Sequence, residues 1–255
     1  MSAPVAGLRV LVTGMSGLIG TALRRRLEGR HALRALNRRD IPGVACHRGD
    51  IGDLGGIEPA FKDIDVVVHL AAAAGGAVPW DSVLHDNLVG TYNVFEAARR
   101  AGVKRVIFAS SGATVTGYER EEPYASLVAG RYAGLTSWPM LTHESPLRPA
   151  ALYGVSKAYG EALGRQYADE HGLSILCIRI GRVNREDRPS GLRDFSVWLS
   201  QRDVVQVIER SIAAPADLRY GIFFATSDNR WGYRDLAHAR SLLGFIPEDR
   251  AEAHR

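Results

Sequence analysis

Apolar positions along the chain switch repeatedly between two periods. Leu8–Thr13 (LRVLVT) is a short, β-branched apolar run that stops at Gly14, the pattern of a buried strand. Gly17–Glu28 then sets Leu18, Ile19, Ala22, Leu23 and Leu27 on one face, which predicts a helix. The alternation continues. Strands are predicted at His31–Asn37, Val44–His47, Asp65–Leu70, Arg105–Ala109, Ser174–Ile180 and Gly221–Ala225. Helices are predicted at Ile57–Phe61, Val83–Ala101, Leu152–His171, Asp203–Ala213 and Tyr233–Leu243. Strands alternating with helices read as βαβ units, hence an α/β, doubly wound parallel sheet covered on both faces. The uniformly apolar Val66–Val68 fits a strand buried on both sides. No repeat of fixed period is present. The stretch 117–151 is the one long non-periodic segment. It holds Pro123, Pro139, Pro146 and Pro149, and its Tyr118, Tyr124, Tyr132 and Trp138 favour a packed, lid-like loop.

Composition narrows the classes. The 255 residues are 46% hydrophobic and 24% charged, which excludes a disordered or collagen-like chain and suits one domain over 1–255. The nearest approach to a long apolar run, Val66–Trp80, contains His69, Gly75 and Pro79, so no membrane helix is expected. Met1–Leu8 lacks a basic n-region, and no signal peptide is read there. The two cysteines, Cys46 and Cys177, sit in apolar, strand-like contexts and suit buried thiols in a reducing cytoplasm better than a disulfide framework. The net charge is +4, but bases and acids are interspersed, as in Tyr118–Glu122 (YEREE), and nucleic acid is not expected as a partner.

Candidate chemistry begins where the first predicted strand meets the first helix. Thr13–Gly20 (TGMSGLIG) spaces its glycines G-x-x-G-x-x-G. Glycine allows the tight turn and a close backbone approach to a pyrophosphate, which the helix N-terminus then faces. Gly14, Ser16, Gly17, Leu18 and Ile19 are the candidate dinucleotide-binding positions, with a purely structural turn as the other reading. The second strand ends in Asn37-Arg38-Arg39, where a carboxylate would be expected for NAD. An arginine there pairs with a 2′-phosphate, so NADP is favoured over NAD. The other reading has solvated arginines, with Asp40 on the ribose. Asp50 and Ile51 are candidates for the adenine. Leu70, Ala71 and Ala72 are small enough, after the fourth strand, for a cofactor to lie against the backbone. His69 reads as a core histidine.

Tyr153 and Lys157 stand four residues apart at the start of a predicted helix, on one face. Tyrosine is a poor base at neutral pH, and a nearby ammonium lowers its pKa. Such a pair can move a hydroxyl proton while hydride passes to or from a nicotinamide. Ser110-Ser111 closes the fifth strand at the carboxyl edge, where ligands of open α/β sheets bind.

With these motifs in order, the chain resembles an extended short-chain dehydrogenase/reductase of the NAD-dependent epimerase/dehydratase family. The resemblance rests on TGMSGLIG at 13–20, GDIGDL at 49–54, HLAA at 69–72, NLVGTYNV at 87–94, FASS at 108–111 and YGVSK at 153–157. It implies a Rossmann-like fold with a small C-terminal substrate-binding portion, mainly 182–219 and 226–255. It also implies that Tyr153 is the general base or acid, that Lys157 anchors the nicotinamide ribose and lowers the tyrosine pKa, and that Ser111 polarises the substrate oxygen. Asn87 is implied to hold its helix near the site, among the cofactor-binding residues. A homodimer is implied through the helices at 83–101 and 152–171, where Val89, Val94, Phe95 and Leu163 are extra apolar positions.

The short C-terminal part is similar to the uronate dehydrogenases. Gly112-Ala113 stand where that group carries Asn-His, and Arg182 where it carries serine. Arg179, Arg182, Arg185, Arg188 and Arg193 cluster at and beyond the strand ending at Ile180, which suits an anionic substrate. Arg179 is the best single candidate. A salt-bridged loop with Glu186, Asp187 and Asp194 is the other reading. The expected activity is NAD(P)-dependent oxidation of a sugar or sugar-acid hydroxyl. An epimerase or dehydratase that retains its cofactor, and a non-catalytic dinucleotide sensor, are the alternatives.

Overall fold

β1 (Arg9–Thr13) is an interior strand of a seven-stranded parallel sheet and hands the chain to α1 (Leu18–Leu27). In a computed structural model, residues 7–75 and 77–255 are described. The reading of the N-terminus as free of a signal peptide falls mostly on residues 1–6, outside the described residues. β2 (Ala32–Asn37), β3 (Ala45–Arg48) and α2 (Leu54–Ile57, extended by a 3₁₀ turn Glu58–Phe61) follow, then β4 (Val66–His69). Next come α3 (Trp80–Ser82), a π-helical stretch Val83–Val89, α4 (Gly90–Arg100) and β5 (Arg105–Ser111). A 3₁₀ stretch Gly112–Arg120, α5 (Tyr124–Val128) and α6 (Leu152–His171) lead to β6 (Ser174–Ile180). α7 (Asp194–Val197), α8 (Gln201–Ile212), β7 (Tyr220–Ala225), α9 (Ala237–Leu243) and a closing 3₁₀ turn Ala251–His254 complete the chain.

The strand order is β3-β2-β1-β4-β5-β6-β7, every pair parallel. The order reverses between β1 and β4, the switch point where open α/β sheets bind ligands. Alternation along β1 divides the core. Val10 and Val12 enter the layer under α1 and α8, whereas Leu11 enters the layer that holds Phe61, Phe95 and Phe108.

The seven predicted strands are present, with ends moved by at most two residues. Two helical expectations change. The helix expected over 83–101 starts at Trp80 and widens to a π stretch that contains Asn87. The helix expected from Tyr233 starts at Ala237, because Tyr233 and Asp235 instead pair with Leu141. The Leu141 amide donates to the Tyr233 carbonyl at 2.7 Å, and the Asp235 amide to the Leu141 carbonyl at 2.8 Å. The 117–151 segment contains α5 and packs its aromatics. Tyr132 stacks on Trp231 with centroids 3.9 Å apart, and the Trp138 indole donates to the Gly232 carbonyl at 2.9 Å.

No helix among the described residues is long and apolar enough to cross a membrane. Cys46 and Cys177 are free thiols; Cys177 is buried as expected, whereas Cys46, on the edge strand β3, is only half-buried.

Candidate active site

Gly14 has φ +69°, a conformation that side chains disfavour, and a Cβ there would meet the Ala71 amide at 2.9 Å. Glycine is therefore required twice, by the turn and by the approach to the end of β4. Thr13 secures that approach: its hydroxyl accepts from the Ala71 amide at 3.1 Å and lies 2.8 Å from His69 Nδ1. α1 begins at Leu18 with no side-chain cap from Gly17, leaving its first amides open to the space beside the turn.

That space is a cleft of about 660 Å³. It is lined by Gly14, Ser16 and Gly17 of the turn, by Asn37 and Arg38 after β2, by Asp50 and Ile51 after β3, and by Leu70, Ala71 and Ala72 after β4. Ser16 donates to the Asn37 carboxamide oxygen at 3.1 Å, and the Asn37 amide nitrogen donates to the Arg39 carbonyl at 2.9 Å, which fixes the base of the arginine pair. Arg39 lines the cleft too. Asp40 is exposed, 3.9 Å from Arg48.

A second cleft of about 290 Å³ shares Gly14, Gly17, Leu70 and Ala72 with the first, so the two run together. Leu18 and Ile19 line it on one side, and Ser111, Tyr153 and Lys157 on the other. β5 and α6 bring these three together. Ser111 caps the 3₁₀ stretch by accepting from the Ala113 amide at 3.1 Å. Tyr153 lies in the first turn of α6, and Lys157 one turn on, 2% exposed. The Lys157 ammonium lies 4.9 Å from the Phe108 ring centroid and 5.6 Å from that of Tyr153.

Burial governs the protonation of this wall. It pushes Lys157 down to about 8 from 10.5. It raises Tyr153, against the opposing hydrogen bond with Ser111. The depression of the tyrosine pKa expected from Lys157 is thus not produced by the fold alone. His69 is held down to about 3 by burial and by the Lys157 charge, so it stays a neutral core histidine.

The Lys157 shift makes a stability prediction. Its folded pKa lies below the unfolded value, so the unfolded chain binds more protons between pH 8 and 10.5, and stability climbs as pH rises through that window. Below pH 8 the buried ammonium costs about 3 kcal/mol. Lys157→Met is expected to raise the melting temperature at pH 7 while lowering turnover, and the gain should shrink toward pH 10. An unchanged or lower melting temperature at pH 7 would contradict it.

Other expected residues lie elsewhere. Arg179 does not line the cleft. It alternates to the α6 side of β6, is 1% exposed, and donates to both Glu161 oxygens at 2.9 Å. Arg182 lies outside both clefts, with Nε 3.0 Å from Asp194. Asn87 is buried and also lines neither cleft. It accepts from the Ala73 amide at 2.8 Å and donates to the Ala73 carbonyl and Ser156 Oγ, each at 3.0 Å, tying the segment after β4 to α6. Ser156, Glu161, Glu119 and Arg234 were not singled out in the sequence, since their partners are distant in the chain.

The profile of the NAD dependent epimerase/dehydratase family matches residues 10–184. The chain belongs to this family. A uronate dehydrogenase of Pseudomonas putida is 33% identical over 97% of this chain and 86% of its own length. An NAD-dependent glucose-6-phosphate dehydrogenase of Haloferax volcanii is 34% identical over 94% of this chain and 93% of its own. A mutant uronate dehydrogenase from Agrobacterium tumefaciens, solved in complex with NAD, superposes with a TM-score of 0.83 at 33% identity, covering 98% of this chain and 88% of that one. The Rossmann-like sheet and the nicotinamide-dinucleotide character of the family thus agree with the cleft described above.

Proposed function

We propose that the protein is a nicotinamide-dependent dehydrogenase acting on a hydroxyl of a sugar or sugar acid. The observation that carries this reading is that Ser111, Tyr153 and Lys157 together line the second cleft, which opens into the first at Gly14, Gly17, Leu70 and Ala72. A nicotinamide dinucleotide, when bound, supplies the hydride acceptor. The chain does the rest. Ser111 hydrogen-bonds the reacting oxygen, and Tyr153 takes its proton as general base. Lys157 holds the ribose and favours the phenolate. The segments 182–219 and 226–255, with the loop 117–151, form the substrate-holding side. Free thiols suit the reducing cytoplasm.

A panel of sugars and sugar acids with NAD and NADP, followed by the absorbance of the reduced nicotinamide, tests the reading. Substrate-dependent reduction is expected. Sugar interconversion without net reduction would instead indicate an epimerase with a retained cofactor. A dinucleotide sensor has no need of the intact triad.

NADP is the proposed cofactor, on the strength of Arg38 and Arg39 at the end of β2. Arg38→Ala is expected to weaken NADP binding by about ten- to a hundredfold, the loss of a charge-assisted contact of roughly 1.5–3 kcal/mol. NAD binding should change little. Tighter binding of NAD than of NADP by the unmodified protein would overturn this choice.

The homodimer is also a proposal, with altered contacts. Val94 and Phe95 are fully buried in the core and cannot reach a second copy. Val89, Tyr92, Leu152 and Val155 are exposed on the same helices, and these are the expected contacts, with the half-buried Leu163 beside them. Sedimentation at twice 27.8 kDa is expected, and a monomer at micromolar concentration would refute it.

A further inference from the structure

Three arginines expected to bind a substrate anion are each committed to an acid: Arg179 to Glu161, Arg182 to Asp194 and Arg193 to Glu119. Arg234 is not so committed. Its side chain is 2% exposed, yet Nη2 reaches the Gly112 carbonyl and the Tyr233 hydroxyl only at 3.4 Å, and Nε has no partner. Glu119 stands 3.9 Å away, and its two oxygens already accept from Arg193 at 2.6 and 2.7 Å and from the Tyr233 hydroxyl at 2.5 Å. Two guanidinium groups therefore share one carboxylate; Arg193 is 39% exposed and keeps access to solvent, whereas the Arg234 charge is buried with only a shared counter-charge. A buried charge without full compensation is costly, unless a ligand supplies the counter-charge.

The position of this cation is what gives it a role. A Cβ on Gly112 would fall 2.2–2.5 Å from the Arg234 guanidinium, so the side-chain space directly after Ser111 is filled by Arg234. Ser111 in turn lines the cleft beside Tyr153, whereas Gly112 and Arg234 stand directly behind that lining. We infer that Arg234 is a specificity residue of the substrate site and receives an oxyanion, a carboxylate or a phosphate, borne by the sugar. This rests on the dehydrogenase reading for its substrate class, but the charge argument stands on the cluster itself. Planar guanidinium pairs with either anion through two parallel hydrogen bonds.

The test separates the two sources and the two claims. The protein saturated with reduced dinucleotide is titrated calorimetrically with D-glucuronate, D-glucose 6-phosphate and D-glucose, and kcat/KM is measured for the same three. At least one anion is expected to bind tenfold or more tightly than D-glucose, and which one it is identifies carboxylate or phosphate. That preference should fall at least fivefold in Arg234→Met and be partly kept in Arg234→Lys. Gly112→Asn, which leaves the charge in place but takes its space, should reduce it as well and serves where Arg234→Met does not fold. An anion preference that binds through Arg234 without turnover would support this inference while refuting the dehydrogenase reading. No preference in the unmodified protein, or one within twofold of it in a folded Arg234→Met, overturns the inference.

Discussion

Tyr153→Phe is expected to lower kcat by roughly 10³-fold, within the range that a positioned general base contributes, and to leave dinucleotide affinity within about twofold. The ring stays, so the packing at the first turn of α6 is kept. Only the hydroxyl that hydrogen-bonds Ser111 is removed. The dinucleotide is expected to lie chiefly along the larger cleft, which Tyr153 does not line. The pH dependence gives a second reading of the same variant. In the direction of oxidation the base must be ionised, and burial raises the Tyr153 pKa. Turnover should therefore climb with pH through the neutral and mildly alkaline range, and this climb should vanish in the phenylalanine variant. Steady-state rates with the preferred sugar, alongside fluorescence titration of the reduced dinucleotide, check both points. Turnover that survives while dinucleotide binding is lost would show that the role is misassigned.

Local pattern carried most of the architecture. Short apolar runs, several closed by glycine or a polar pair, marked the central strands, because a parallel strand buried on both faces has almost no freedom in composition. The glycine turn and the Tyr153–Lys157 spacing were legible for a similar reason: a positive φ at residue 14 and one helical turn between two side chains are local constraints. What escaped was long-range. Arg179 sits near the end of β6 and reads as a substrate ligand, but strand alternation turns it toward α6, where Glu161 waits. Nothing near residue 179 announces which face is the cleft. Val94 and Phe95 look like surplus apolar positions on an amphipathic helix until the sheet is built beneath them. The Glu119 cluster joins residues more than a hundred positions apart, and Tyr233 leaves its predicted helix to pair with Leu141. Beyond α8, whose apolar face was legible, residues 182–200 and 226–255 form short elements with many side-chain contacts, so their periodicity is weak and their partners decide their shape.

The Arg179–Glu161 pair, displaced from substrate binding, sets the second large effect. Tyr153, Lys157 and Glu161 follow one another at four-residue steps along α6, so the face that carries the catalytic pair continues into an acid. Glu161 accepts from Arg179 at 2.9 Å on each oxygen and from Ser110 Oγ at 2.6 Å. One carboxylate thereby ties α6 to β6 and to the residue next to Ser111. Both charged side chains are at most 4% exposed, and the Arg179 guanidinium also lies 5.0 Å from the Phe224 ring. Glu161→Ala leaves that guanidinium buried without its acid, and such a loss costs about 3–5 kcal/mol. The urea midpoint should fall accordingly, with an unchanged slope. Replacing both partners, Glu161→Leu with Arg179→Met, removes the orphaned charge and should recover a large part of the loss, because the pair repays its own desolvation only while both members are present. The double variant should still turn over more slowly than the unmodified protein, since Ser110 loses its acceptor and the spacing between Ser111 and Tyr153 is no longer held from behind. A single Glu161→Ala variant that unfolds within about 1 kcal/mol of the unmodified protein would show that the brace is not what joins the two catalytic elements.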